Sequence, residues 1–148
     1  MSREQTNEIK PLNIAILTIS DTRGPDEDSS GQFLEDSVVE AGHRLISRRI
    51  LPDDVYLVRA AMSSWIAEPD VHVVISTGGT GFYERDSTPE AVAPLLDKTI
   101  EGFGEEFRRQ SASEIGTSTI QSRAFGGLAN HTAIFCLPGS TGACRTGW

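Results

Sequence analysis

The sequence predicts an α/β domain built on a parallel sheet, from three observations. Apolar runs alternate with amphipathic ones in the order strand, helix, strand, helix, strand, which is the pattern of parallel strands joined by crossover helices. The first run, residues 12–19 (LNIAILTI), is nearly continuous in apolar residues, as expected of a strand buried on both faces. The third run, residues 71–76, empties into Thr77, Gly78, Gly79, Thr80 and Gly81, and a Thr88-Pro89-Glu90 helix start follows.

The elements follow in order. The first strand ends in a polar loop at Ser20, Asp21, Thr22, Arg23, Gly24 and Pro25, continued by residues 26–28. Ser29, Ser30 and Gly31 read as a helix start. Phe33, Leu34, Val38 and Ala41 then mark an apolar helical face, which Gly42 stops. Residues 44–51 read as a second strand, Pro52-Asp53-Asp54 as a turn with a capping carboxylate, and residues 55–66 as a second helix. After the glycine loop, Thr88 is the expected N-cap of a helix opening at Pro89 and running on through residues 91–96. Residues 99–113 read as a further helix, with Gly102 and Gly104 weakening its first turn. Residues 123–128 and 132–137 read as a hairpin or two short strands, and Pro138, Gly139, Ser140, Thr141 and Gly142 open a last element at Ala143. That element has room for roughly one helical turn before Trp148, and a chain lacking its final helix is expected.

The 148 residues are enough for one domain with a core. Residues 1–10 are polar, without a signal-peptide apolar stretch, and are expected to be a flexible lead-in to a domain at 11–148. No apolar run approaches the ~20 residues of a membrane helix, so no membrane partner is expected. The net charge of −8 argues against a nucleic-acid footprint. Eleven of the thirteen basic residues are Arg, mostly expected in surface ion pairs, although Arg also grips phosphate bidentately. Two cysteines, Cys136 and Cys144, make no disulfide framework, and a reducing cytoplasm is the simplest compartment.

In an open parallel sheet, ligands gather beyond the carboxyl ends of the strands. Four loops meet that condition: Ser20-Asp21, Pro52-Asp53-Asp54, residues 77–86, and residues 138–142. The glycine loop is neither a P-loop, since no Lys follows, nor a dinucleotide fingerprint, since the third glycine is missing. Its glycines let backbone N–H groups approach an anion such as phosphate. Asp53 and Asp86 have ordinary roles open to them, as a helix cap and as a partner of Arg85. Together beside a glycine loop they form a candidate Mg²⁺–phosphate site, because a hard cation takes carboxylate oxygen. Residues 138–142 could hold a second anionic group, and Ser30 with Gly31 a third. Cys144 beside Arg145 could have a lowered pKa but reads better as packing. His43, His72 and His131 show no metal-ligand spacing, and no G-x-S-x-G motif supports a hydrolytic triad. Glu101 could border a cleft, and Phe103 with Phe107 reads as core or subunit contact.

These residues resemble a known family. Leu17-Thr18-Ile19-Ser20-Asp21, Asp28-Ser29-Ser30-Gly31, Ser76-Thr77-Gly78-Gly79-Thr80-Gly81, Arg85-Asp86-x-Thr88-Pro89-Glu90-Ala91 and Leu137-Pro138-Gly139-Ser140 are similar to the MoaB/MogA family of molybdenum cofactor biosynthesis. Glu101-Gly102-Phe103-Gly104-Glu105, residues 114–119, Gln121-Ser122-Arg123 and residues 142–146 look most like its MoaB branch. The resemblance runs in order from Leu12 to Trp148.

It implies a three-layer α/β/α sandwich with a mostly parallel central sheet, the MogA-like molybdopterin-binding fold. It also implies a trimer or hexamer and work alongside other molybdenum cofactor pathway proteins. The implied ligand is molybdopterin, a pterin dithiolene ending in a phosphate. In the adenylyltransferase members that phosphate attacks the α-phosphorus of Mg-ATP and pyrophosphate leaves. By the same resemblance, Asp53 and Asp86 match the two functional aspartates, expected to be catalytic and to hold Mg²⁺. Gly78, Gly79, Thr80 and Gly81 match the nucleotide and pterin loop, while Gly139 and Ser140 match the loop on the terminal phosphate. With Ser20, Asp21, Ser30, Gly31, Thr77 and Pro138 these make up the expected substrate contacts. A non-catalytic pterin carrier and an oligomeric structural partner are the competing functions.

Overall fold

Among the described residues six strands form one sheet in the order β2-β1-β3-β6-β5-β4. The computed structural model describes residues 9–148, so most of the expected N-terminal lead-in (residues 1–8) lies outside the described residues. β1 (Asn13–Ile19) pairs in parallel with β2 (Arg44–Leu51) on one side and β3 (Val73–Thr77) on the other. β3 pairs in parallel with β6 (Thr132–Leu137). β6 then pairs antiparallel with β5 (Phe125–Ala129), which pairs antiparallel with β4 (Lys98–Thr99). The sheet is therefore mixed but mostly parallel.

Alternation along β1 sends its residues to two separate cores. Ala15, Leu17 and Ile19 meet Val58, Ala61, Met62 and Trp65 of α2 (Val55–Ala67) and Ala91 and Val92 of α3 (Thr88–Val92). Ile14 and Ile16 meet Leu34 and Val38 of α1 (Ser29–Glu40), Phe107 of α4 (Glu101–Ile115) and Cys144 of α5 (Thr141–Gly147). Helices thus cover both sheet faces, giving the expected three layers. The apolar character of β1 follows, since six of its seven residues are buried.

Three of the helices are capped by side chains. Asp28 caps α1 by accepting from the Gly31 N–H, Asp54 caps α2 through the N–H groups of Tyr56 and Leu57, and Ser140 caps α5 through that of Ala143. The β5–β6 hairpin turns on Asn130 (φ 48°) and His131 (φ 66°). Two positive φ angles at a two-residue turn match the twist of the strands.

The structure corrects the expected cap of α3. Thr88 is inside α3 rather than its cap: Ser87 holds the cap position, and the Thr88 hydroxyl donates to the Gly78 carbonyl at 2.9 Å. The two-residue β4 and the 3-10 segment Gly116–Gln121 carry too little periodicity to be read from the sequence. Among the described residues no helix is long and apolar enough to cross a membrane.

Candidate functional site

The strand order 2-1-3 puts a topological switch point between β1 and β3, where the loops leaving their carboxyl ends diverge toward opposite faces. A cleft of about 560 Å³ opens there. Ser20, Arg23, Gly78, Gly79, Thr80, Gly81, Asp86, Pro138, Gly139 and Ser140 all line it, so three of the four candidate loops reach one space. Phe107, Ser111, Glu114 and Ile115 form the opposite wall, with Ser118 and Gln121 from the 3-10 segment.

The glycine loop is shaped by what it must avoid. Gly78 has φ +111° and Gly79 φ +73°, a region L side chains rarely occupy. A Cβ on Gly78 would stand 2.1 Å from the Ile19 carbonyl oxygen, and one on Gly79 would stand 2.2 Å from the Thr88 hydroxyl. Gly78→Ala is therefore expected to cost roughly 2 kcal/mol or more, read as a lower urea midpoint with an unchanged m-value. The Gly78 N–H donates to the Leu137 carbonyl at 2.9 Å, and the Gly79 carbonyl accepts from the Thr88 N–H at 3.0 Å. The Gly78 and Gly79 carbonyls turn back to Thr88 of α3 and those of Thr80 and Gly81 accept from Arg123, while the N–H groups of Gly79, Thr80 and Gly81 have no acceptor among the described residues. Successive free N–H groups in such a turn form an anion-binding concavity.

Both aspartates lie against this loop. A Cβ on Gly79 would sit 2.9 Å from Asp53 Oδ2, and one on Gly81 would sit 2.6 Å from Asp86 Oδ2. Asp53 is not the helix cap, because Asp54 takes that role. Asp53 Oδ1 instead accepts from the Ser87 hydroxyl at 2.5 Å and the Ser87 N–H at 3.3 Å. Burial pushes the Asp53 carboxyl above its ordinary value; the Ser87 bonds oppose this, while repulsion from Asp86 and Asp21 adds to it. Asp86 Oδ2 accepts from the Tyr83 N–H at 2.9 Å. The ordinary ion pair between Asp86 and Arg85 does not form.

Arg85 reaches Asp21 instead, through Nε at 2.6 Å and Nη2 at 2.9 Å, and also donates to the Asp53 carbonyl at 3.1 Å. The Asp53 N–H donates to Asp21 Oδ1 at 3.0 Å. The Arg85 hydrogen bond, then the Asp53 N–H, hold the Asp21 carboxyl down at about 2. Asp21 does not line the cleft; it ties the Asp53 backbone to the segment carrying Asp86.

The remaining predicted contacts also act one step back. The Thr77 hydroxyl, fully buried, donates to the Pro138 carbonyl at 2.9 Å and presses the two glycine-bearing loops together. The Gly31 N–H donates to Asp28 at 3.0 Å, and a Cβ there would strike the Asp28 carboxylate at 2.0 Å. Ser30 accepts from Arg23 Nη1 at 3.3 Å.

Arg23 is the residue sequence reasoning missed, although its place in the loop leaving β1 was the available signal. Among the described residues it is the only Lys or Arg on the cleft wall. Its Nη1 also donates to the Gly139 carbonyl at 2.9 Å, which fixes the guanidinium on the 138–140 loop. Its Nε and Nη2, the edge that grips an oxyanion bidentately, have no acceptor among the described residues. The Gly139 and Ser140 N–H groups beside it are likewise free of an acceptor. Cys144 is not activated: burial pushes its thiol up, against a hydrogen bond to Thr77. Glu101 is absent from the cleft wall, where Glu114 stands instead.

The donor set fits a hard divalent cation. Asp53 Oδ2 and Asp86 Oδ1 carry no hydrogen bond among the described residues, and the repulsion on Asp53 is what a cation relieves. No cluster of three or more His, Cys, Asp or Glu suited to a metal occurs among the described residues. Mg²⁺ needs none, since it takes one or two carboxylates with phosphate oxygens and water.

The chain is similar to known proteins. Residues 15–148 match a family model described as "Probable molybdopterin binding domain". The chain is 55% identical to molybdenum cofactor biosynthesis protein B of Escherichia coli K12 over 148 residues, all of this chain and 86% of that protein. A crystal structure of a molybdenum cofactor biosynthesis protein B superposes with TM-score 0.89 at 46% identity, covering 93% of this chain and 86% of that one. The tungsten cofactor synthesizing protein MoaB of Pyrococcus furiosus superposes with TM-score 0.85 at 36% identity, covering 95% and 89%.

Proposed function

The chain belongs to the MoaB family of molybdenum cofactor biosynthesis, and we propose that it binds molybdopterin and adenylylates it with ATP and Mg²⁺, releasing pyrophosphate. One observation carries this reading: two carboxylates with free oxygens lie against a loop whose three free N–H groups suit phosphate.

The geometry supports a role for each residue in this reading. The N–H groups of Gly79, Thr80 and Gly81 hold nucleotide phosphate oxygens. Asp53 and Asp86 would hold Mg²⁺, which when bound offsets phosphate charge. Arg23, with the Gly139 and Ser140 N–H groups, grips the pterin's terminal phosphate, and Phe107 and Ile115 offer an apolar wall for the ring. A terminal phosphate oxygen then forms a bond to the α-phosphorus as the α–β bridging bond breaks, and the bridging oxygen leaves with pyrophosphate. Such transfer is positioning and charge stabilisation, and it requires no protein nucleophile. The raised Cys144 thiol agrees with that. Pyrophosphate release from ATP that depends on added molybdopterin tests the reading; its absence would sink it.

Arg23→Ala is expected to raise the KM for molybdopterin about tenfold or more, the scale of a lost charge-assisted bond, with a smaller effect on the KM for ATP. Steady-state kinetics against each substrate measures both. We place the protein in the cytoplasm as a homo-oligomer, trimer or hexamer, beside other proteins of the pathway. The exposed side chains of Tyr56, Leu57, Phe82 and Ile120 offer apolar area for such contacts.

A further inference from the structure

Arg23 lines the cleft and Arg123 bonds the segment that carries Asp86, and their guanidinium groups are used in opposite ways. That of Arg23 has a free edge. That of Arg123 is engaged at every nitrogen: Nε donates to the Gly81 carbonyl at 2.9 Å, Nη2 to the Asp86 carbonyl at 2.9 Å, and Nη1 pairs with Glu90. Its backbone N–H donates to the Thr80 carbonyl at 3.0 Å, and its guanidinium lies 5.4 Å over the Phe82 ring. A guanidinium engaged at all three nitrogens is committed to the protein's own acceptors. It holds both ends of the segment 81–86.

We propose that Arg123 is a positioning residue that fixes Asp86 at the cation site by clamping this segment at Gly81 and Asp86. The proposal rests on Asp86 as a cation ligand. Little else holds the segment on that side. Phe82 and Tyr83 are 69% and 87% exposed, so packing does not fix it. On the other side the anchor is the exposed Arg85–Asp21 pair. Arg123 itself is only about one-quarter exposed and follows the 3-10 segment whose Ser118 and Gln121 line the cleft. One side chain therefore joins that wall to the Asp86 segment. Lysine cannot replace it, since one ammonium does not span three acceptors with the geometry of a planar fork.

The test uses Arg123→Lys and Glu90→Gln in the full chain. Mn²⁺ affinity is measured by electron paramagnetic resonance with ATP present, and amide exchange is followed at Tyr83, Asp86 and the β1 core. Arg123→Lys is expected to weaken Mn²⁺ binding about tenfold, the scale seen when a metal ligand loses its support. It is also expected to speed exchange at Tyr83 and Asp86 while β1 stays protected. Glu90→Gln keeps the carbonyl clamps and is expected to bind Mn²⁺ like the parent. Parent-like exchange and Mn²⁺ affinity in Arg123→Lys would overturn the proposal, as would exchange that speeds equally in β1. If the parent protein bound no Mn²⁺, the adenylyl-transfer reading would fall, and the exchange at Tyr83 and Asp86 would still decide whether Arg123 positions the segment.

Discussion

Asp53→Asn lowers kcat for adenylyl transfer at least ~100-fold, the scale of a lost electrostatic stabiliser, and does not destabilise the free protein. The two halves of this expected result share one cause. Asp53 is half-buried and faces Asp86 and Asp21, so its carboxyl titrates above the ordinary 3.8. Between that value and its raised folded pKa, the folded protein binds more protons than the unfolded one. Stability therefore falls as pH rises through that window, and at neutral pH the ionised group is a net cost. Asparagine removes the charge while its carbonyl oxygen can still accept from Ser87. The melting temperature of the free variant at pH 7 is expected to equal or exceed the parent's, and to show less advantage near pH 4. Mg-ATP should raise the parent's melting temperature by more than the variant's. A variant clearly less stable than the parent at pH 7 would count against this account of Asp53. A site that costs stability in order to hold charge is a common compromise between folding and activity.

Asp28→Ala destabilises the fold by about 3–5 kcal/mol, the range for removing one partner of a buried ion pair. Asp28 is 2% exposed and holds four donors together. Its carboxylate accepts from the Thr18 hydroxyl at 2.7 Å, Arg48 Nη2 at 3.0 Å and the Gly31 N–H at 3.0 Å, with Ser30 at 3.5 Å. Alanine removes the cap of α1, leaves the buried Thr18 hydroxyl without its partner, and leaves Arg48 paired with Glu35 alone. Burial pushes the Asp28 carboxyl up, but the bonds from Thr18, Arg48 and Gly31 together hold it below the ordinary value. Its stabilising contribution is thus present above pH 3.8 and lost as pH falls through its lower folded pKa. Urea unfolding at pH 7 measures the loss, and Asp28→Asn, which keeps the cap, should lose less. The cleft should feel it too, because α1 supplies Ser30 to Arg23 and Ser29 to Thr141.

What the sequence reveals here follows sequence distance. β1, β2 and the stop of α1 near Gly42 are legible because burial on both faces, strand length and capping are local. The glycine loop and its two aspartates are legible as a group because an α/β topology brings strand ends together. Which acid does what is not legible. Asp53 and Asp54 are neighbours and either could cap α2; Ser87, 34 residues away, takes Asp53. Arg85 adjoins Asp86 but bonds Asp21, 64 residues away. Arg23 is legible as a loop residue, and only its bond to Gly139, 116 residues away, shows which of its edges is free. Such choices depend on three-dimensional placement that periodicity does not encode.

Adenylyl transfer at the Asp53–Asp86 loop is read by following the adenylyl group itself. The protein is mixed with molybdopterin, Mg²⁺ and ATP labelled at the α-phosphorus, and the label is traced to the pterin, with Asp86→Asn in parallel. Label on the pterin that forms with the parent protein and fails to form with Asp86→Asn is the predicted result. Molybdopterin bound by the parent with all label remaining in ATP would contradict it, and would leave the protein a carrier of the pterin.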